Sequence, residues 1–234
     1  MPLLRLLLTA LFACTSTFAA DAIDLAQRAD RWQPKVERYL QRDQANPPPL
    51  NGIVFTGSSS IEMWTSLPAD FPNLPVVRRG IGSTWLLDQL TIAPQLVYPL
   101  KPHTVVLYAG ENDLQDNRTV ADVVDAFQQV RAQLFSELPS ARLVFLALKP
   151  SPSRTAILEK MREANTRIAA LCAEDPRCTF VDVFTPMLDT TGEPRPELYL
   201  DDRLHMTPEG YRLWTQLVAP VLDRVYTRAA AASP

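Results

Sequence analysis

Gly52-Ile53-Val54-Phe55-Thr56-Gly57-Ser58-Ser59-Ser60 decides the architecture. An apolar, β-branched run stands between two glycines and passes at once into three serines. Ile61-Glu62-Met63-Trp64 then reads as the first turn of a helix. A continuous apolar run without polar alternation suits a strand covered on both faces, as in a parallel sheet. Four more runs repeat the theme: one beginning at Val76-Val77, then Thr104 to Ala109, Arg142 to Leu148 and Thr179 to Val183. Between them lie helical stretches. Asp21 to Ala45 is expected to kink or break at Pro34, and Trp85 to about Tyr98 is disturbed by Pro94. Val120 to Leu138 is amphipathic, Ile157 to Cys172 follows, and a last helix opens at Thr207-Pro208, an N-cap followed by a proline where helices tolerate it best. Strands alternate with helices five times. That predicts an α/β domain, a five-stranded parallel sheet with helices on both faces. Ligands of such sheets sit outside the C-terminal ends of the strands, where the polar motifs of this chain also fall.

The 234 residues suit one such domain, spanning 21-228, with a frayed tail at 229-234. Apolar residues make up 47 % of the chain and charged residues 21 %, enough for a sizeable core. The net charge of -3 and the lack of a basic run argue against a nucleic-acid partner. No internal stretch is long enough to span a membrane. Residues 1-20 read as a signal peptide, with Arg5 as the positive region, Leu6 to Ala13 as the apolar region and small residues near Ala19 and Ala20, so the expectation is export to the periplasm or beyond. Leu11-Phe12-Ala13-Cys14 also resembles a lipobox, which gives an alternative in which Cys14 carries a lipid anchor. Cys172 and Cys178 flank a turn-forming Ala-Glu-Asp-Pro-Arg; a small disulfide loop and two buried thiols fit this spacing equally.

Chemistry points first to Asp201-Asp202-Arg203-Leu204-His205. His205 is one of only two histidines, and an acid three residues upstream can reach its ring if the loop curls. Asp202 is the better placed acid and Asp201 the alternative. Ser59 stands at a strand end and helix start, where an exposed hydroxyl meets free backbone N–H groups. The plain reading of Ser58 and Ser60 is a serine-rich cap. Asn112, in Gly110-Glu111-Asn112-Asp113, offers a side-chain amide to a developing oxyanion, or else closes an Asx turn. Asp113 reads as a structural acceptor of loop N–H groups and Glu111 as solvent-facing. His103 reads as structural, near the opposite end of the sheet. Trp64 and Trp85 follow the first and second polar blocks, where they either line a substrate site or belong to the core. Position 61 is Ile, so the Gly-x-Ser-x-Gly elbow is absent. The two histidines are not spaced as metal ligands, and no metal or cofactor is expected.

These blocks, in this order and near this spacing, resemble the SGNH (GDSL-type) esterase/lipase superfamily. The likeness runs from about Trp32 to Leu222 and takes in Lys149-Pro150-Ser151-Pro152-Ser153-Arg154 and Gly210-Tyr211. The first block is similar to that of a bacterial branch with Gly-Ser-Ser in place of Gly-Asp-Ser. The resemblance implies a three-layer α/β/α, flavodoxin-like fold. It implies a catalytic set of Ser59, Asp202 and His205, with Asn112 and a second-block N–H as oxyanion donors. Alignment of the second block, Gly80-Ile81-Gly82-Ser83, puts that N–H on Ser83, with Gly82 the alternative. The implied activity is carboxylic ester hydrolysis through an acyl-enzyme, on a small or carbohydrate-linked acyl ester such as an acetylated glycan. O-acyl transfer would use the same residues, and a glycan-binding protein without catalysis would keep only the fold. Oligomeric state is not legible in the sequence.

Overall fold

The apolar runs pair side by side because each is hydrophobic on both faces and short enough to be covered by the helices between them. A computed structural model describes residues 15–230, with side chains for residues 25–226. The strands are β1 (Ile53–Gly57), β2 (Val76–Gly80), β3 (Thr104–Tyr108), β4 (Arg142–Leu146) and β5 (Cys178–Val181). All pair in parallel, in the order β2-β1-β3-β4-β5. Every residue of β1 and β3 is buried. Gly57 at the end of β1 lies level with Gly80 of β2 and Tyr108 of β3.

The helices are α1 (Thr15–Ala45), α2 (Ser59–Glu62), α3 (Leu67–Asp70), α4 (Gln89–Leu96), α5 (Glu111–Gln115), α6 (Val120–Glu137), α7 (Leu158–Ala173) and α8 (Pro208–Ala230). The chain steps outward from β1 to β2, then back past β1 to β3, β4 and β5. Right-handed crossovers then put the β1–β2 connection on one face and the later connections on the other. Contacts agree: Trp64, after β1, packs on Trp214 of α8 at 5.8 Å, while α4, α6 and α7 pack in sequence against each other. This is the parallel sheet with helices on both faces that the strand alternation predicts, in the three-layer, flavodoxin-like form that the resemblance implies. Its switch point lies between β1 and β3, where consecutive connections leave toward opposite faces.

Two expectations change in detail, and two open alternatives are resolved. Pro34 lies inside α1 without ending it. It is exposed, so water can meet the carbonyl that loses its amide partner. The helix expected over Trp85 to Tyr98 is shorter, covering Gln89–Leu96 with a 3-10 turn at Tyr98–Leu100. Residues 85–88 are instead held in a turn by side chains, Trp85 N–H donating to Asp88 at 2.7 Å and Leu86 N–H to Asp113 at 3.0 Å. Trp64 is core, within 5.6 Å of Phe55, 5.7 Å of Phe71 and 5.2 Å of Tyr211. Cys172 and Cys178 are buried free thiols, and the neighbouring Cys172, with burial, pushes the Cys178 thiol up. The leader and the Cys14 lipobox fall, over residues 1–14, outside the described residues, as does the tail beyond residue 230.

Candidate active site

β1 must turn sharply if the serines beyond it are to reach the surface. Gly57 makes that turn at φ 132°, and a Cβ there would lie 1.9 Å from the Tyr108 carbonyl oxygen, so no side chain fits. The Ser58 N–H donates to that same oxygen at 2.9 Å, and Ser59 opens α2. Ser58 and Ser60 turn inward and are buried, their hydroxyls without partners among the described residues. Ser59 alone of the three meets the histidine. Tyr211 of α8 ties the turn down by donating its hydroxyl to the Ser60 carbonyl at 3.0 Å.

His205 reaches Ser59 from the far end of the chain. Thr207 caps α8 with its hydroxyl, accepting the Gly210 N–H at 3.3 Å, and Pro208 takes the first helical position. Just upstream, Arg203 adopts φ 59° and folds the loop back, so Leu200 N–H donates to the His205 carbonyl at 2.8 Å. The curl brings Asp202 to the ring. His205 Nδ1 lies 2.5 Å from Asp202 Oδ2, and His205 Nε2 lies 3.1 Å from Ser59 Oγ. With Nδ1–H donating to the carboxylate, Nε2 is left to accept the serine proton. Burial works against the Asp202 charge. It is outweighed by the His205 backbone N–H, the imidazole and the Leu204 N–H, which together pull the carboxyl down to about 2. Side-chain exposure is 23 % for His205 and 48 % for Asp202, so the site opens onto the surface. Asp201 stays outside this set.

The second block lies beside Ser59, since a Cβ on Gly82 would come 3.4 Å from the Ser59 Cβ. The Gly82 N–H is already engaged, donating to Glu62 Oε2 at 2.6 Å, and Glu62 in turn pairs with Lys35 of α1 at 3.0 Å. The Ser83 N–H has no acceptor among the described residues, and Ser83 holds the left-handed conformation at φ 66°. Of the two second-block candidates, Ser83 is therefore the one with a donor to spare.

Asn112 sits in α5, just past β3. Its Nδ2 donates to the Thr84 carbonyl at 3.0 Å, and its Oδ1 accepts from Arg154 Nη2 at 2.8 Å. One amide hydrogen is left over. Asp113 is buried and accepts the Leu86 N–H, the structural part its loop position suggests. Burial pushes its carboxyl up to about 7, with the Leu86 N–H opposing.

Glu111 corrects the sequence reading. It is not solvent-facing but 1 % exposed, paired at 3.0 Å with Lys149, itself 0 % exposed. Arg154 approaches the same carboxylate at 3.5 Å. Burial works against the Glu111 charge, but Lys149 and Arg154 outweigh it and hold the carboxyl below the ordinary glutamate range. Sequence reasoning gave Lys149 and Arg154 no role. The signal that could have found them was a lysine closing an otherwise apolar strand, opposite an acid closing the neighbouring one. Trp85 is no open platform: Arg28 lies 3.6 Å from its ring centroid, and its indole N–H donates to Asp116. His103 is where expected, near the N-terminal ends of the strands, its N–H donating to the Gly52 carbonyl at 2.9 Å.

The model of the GDSL-like lipase/acylhydrolase family matches residues 26–213 of the chain. No curated protein matches the sequence. Among solved structures, a Streptococcus pneumonia protein named for platelet activating factor is 21 % identical, with a TM-score of 0.73 over 87 % of this chain and 99 % of that one. A GDSL-like lipase from Bacteroides thetaiotaomicron is 23 % identical, with a TM-score of 0.70 over 81 % of this chain and 97 % of that one. An acetylxylan esterase from Geobacillus stearothermophilus, solved as a catalytic mutant, is 14 % identical, with a TM-score of 0.59 over 76 % of this chain and 95 % of that one. At such identities these likenesses speak to the fold.

Proposed function

The chain belongs to the GDSL-like lipase/acylhydrolase family and is a serine ester hydrolase; from there we propose that Ser59 is its nucleophile, His205 its general base and Asp202 the acid that orients the base. The observation that carries the assignment is the unbroken line from Asp202 Oδ2 through His205 to Ser59 Oγ, at 2.5 and 3.1 Å. Ser59 Oγ attacks the acyl carbonyl while its proton passes to His205 Nε2. The negative oxygen that forms is met by the Ser59 and Ser83 N–H groups and the free Asn112 amide hydrogen. The carbon–oxygen bond to the alcohol breaks, and His205 returns the proton to that alcohol. Water, deprotonated by the same histidine, then attacks the acyl-enzyme; the acid leaves and Ser59 regains its proton.

The substrate this reading favours is a short acyl group, acetyl first, carried on a carbohydrate. Two observations support it. The histidine end of the site is open enough for a bulky alcohol to approach, and the fold is shared with an acetylxylan esterase. Export, argued from residues 1-20, would bring the enzyme to such glycans.

The test is hydrolysis of p-nitrophenyl acetate and of acetylated xylan by the wild type and by Ser59→Ala. The expected loss in kcat is on the order of a thousandfold or more, with the fold intact. A variant that hydrolysed both at the original rate would remove Ser59 from the mechanism.

A further inference from the structure

Glu111 and the segment Lys149 to Arg154 take no part in the reaction just described, yet they converge beneath it. Lys149 Nζ is buried against Glu111 and also donates to Ser151 Oγ at 3.2 Å. Arg154 spans from this pair to Asn112, meeting Glu111 with one terminal nitrogen and Asn112 Oδ1 with the other. The same segment grips the histidine loop, Ser153 N–H donating to the Arg203 carbonyl at 3.0 Å and the Tyr199 hydroxyl donating to the Pro150 carbonyl. One short stretch thus touches both halves of the site.

We propose that Arg154, anchored by the Glu111–Lys149 pair, is a positioning residue that locks the Asn112 amide with its free hydrogen toward the oxyanion. The proposal rests on the reading of Asn112 as an oxyanion donor. A side-chain amide has two faces that are nearly the same shape, and only its partners decide which way it points. Turning Asn112 over would set its NH2 against the Arg154 guanidinium, donor against donor. It would also set its oxygen against the Thr84 carbonyl, acceptor against acceptor. Both contacts therefore forbid the flip. With Oδ1 and one hydrogen committed, the direction of the second hydrogen is fixed before substrate arrives, which is what oxyanion stabilisation requires.

The charges reinforce this. Buried Lys149 and mostly covered Arg154 face one carboxylate, leaving an excess positive charge behind the donor. Burying an ion pair is poorly repaid in stability, since apolar residues of similar volume often do as well. A positive excess beside a site that develops negative charge gives this cluster a use that an apolar plug would lack. Arginine, with its planar fork, can hold a carboxylate and an amide oxygen at once, which lysine cannot do.

The test is a double-mutant cycle on p-nitrophenyl acetate hydrolysis with Arg154→Met, Asn112→Ala and both together. Arg154→Met is expected to lower kcat about tenfold, with KM within about twofold and partial rescue by added guanidinium; Asn112→Ala lowers it on the order of a hundredfold. In the Asn112→Ala background, Arg154→Met should cost less than about twofold, because the residue it serves is gone. A full tenfold loss in that background would overturn the proposal, as would an unchanged kcat in Arg154→Met. Arg154→Lys keeps the charge without the fork and guards against a folding defect; it should fold normally and still lose most of the Arg154 effect. A readout independent of turnover is NMR of the Asn112 side-chain amide. The hydrogen it donates to the Thr84 carbonyl should exchange slowly with solvent deuterium in the wild type and faster in Arg154→Met, where the side chain can turn about its Cβ–Cγ bond. Identical exchange in the two proteins would also sink the proposal. A wild type without esterase activity would remove the hydrolase reading but leave this amide measurement decisive for the clamp.

Discussion

Asp202 spends both of its oxygens on one short loop. Oδ1 accepts the Leu204 and His205 N–H groups at 2.9 Å, and Oδ2 takes the imidazole. The residue both builds the loop and orients the His205 ring. Asp202→Asn should therefore lower kcat at least on the order of a hundredfold, measured on a small activated ester with KM followed in parallel. With the folded carboxyl at about 2 against an ordinary 3.8, its support for the fold is complete above the ordinary value and is lost as pH falls through about 2. Any acidic fall in wild-type kcat/KM above about pH 4 then belongs to another group, and the Asn variant should keep that limb at lower amplitude. The spacing favours Asp202 over Asp201, and the left-handed turn at Arg203 is what brings Asp202 to the ring. Nothing local marks Arg203 for that turn, since arginine has no preference for positive φ.

At the scale of elements, α1 works as a clamp on the second block. Asp88, buried at the start of the α4 region, accepts Arg28 through two nitrogens at 2.8 Å, the Trp32 indole at 3.0 Å and the Trp85 N–H at 2.7 Å. Farther along α1, Tyr39 donates to the Gly80 carbonyl at 2.8 Å and Asp43 pairs with Arg79. Asp88→Ala would leave Arg28 nearly buried without its partner and free the turn that carries Ser83. It is expected to cost about 3–5 kcal/mol by denaturant unfolding and to lower kcat as well. The strands and long helices were legible because they depend on runs and periods within one stretch. The turn after Ser83, the true start of α4 and the burial of Glu111 were not, because each is fixed by partners dozens of residues away: Asp113 for Leu86, Arg28 for Asp88 and Lys149 for Glu111. Ser59, Asn112 and His205 could still be singled out as candidates, since each sits where a strand ends or a helix begins.

For the whole molecule, Asp113 sets a pH dependence opposite to that of Asp202. Its folded carboxyl is raised from 3.8 to about 7, so between these values the folded state keeps a proton that the unfolded chain has lost. Stability should fall as pH rises from about 4 to about 7, by a total of a few kcal/mol, and level off above. Asp113→Asn, which can still accept the Leu86 N–H, should flatten that slope in urea denaturation series at several pH values. The strand order adds a consequence in time. Ser59 follows the first strand, whereas His205 comes 146 residues later and arrives only with the last helix. On the proposed assignment, a ribosome makes the nucleophile early and its base last. A growing chain carries an inert serine through most of its synthesis, and a cut in the loop before Asp202 would put nucleophile and base on separate chains held together only by the packing of α8.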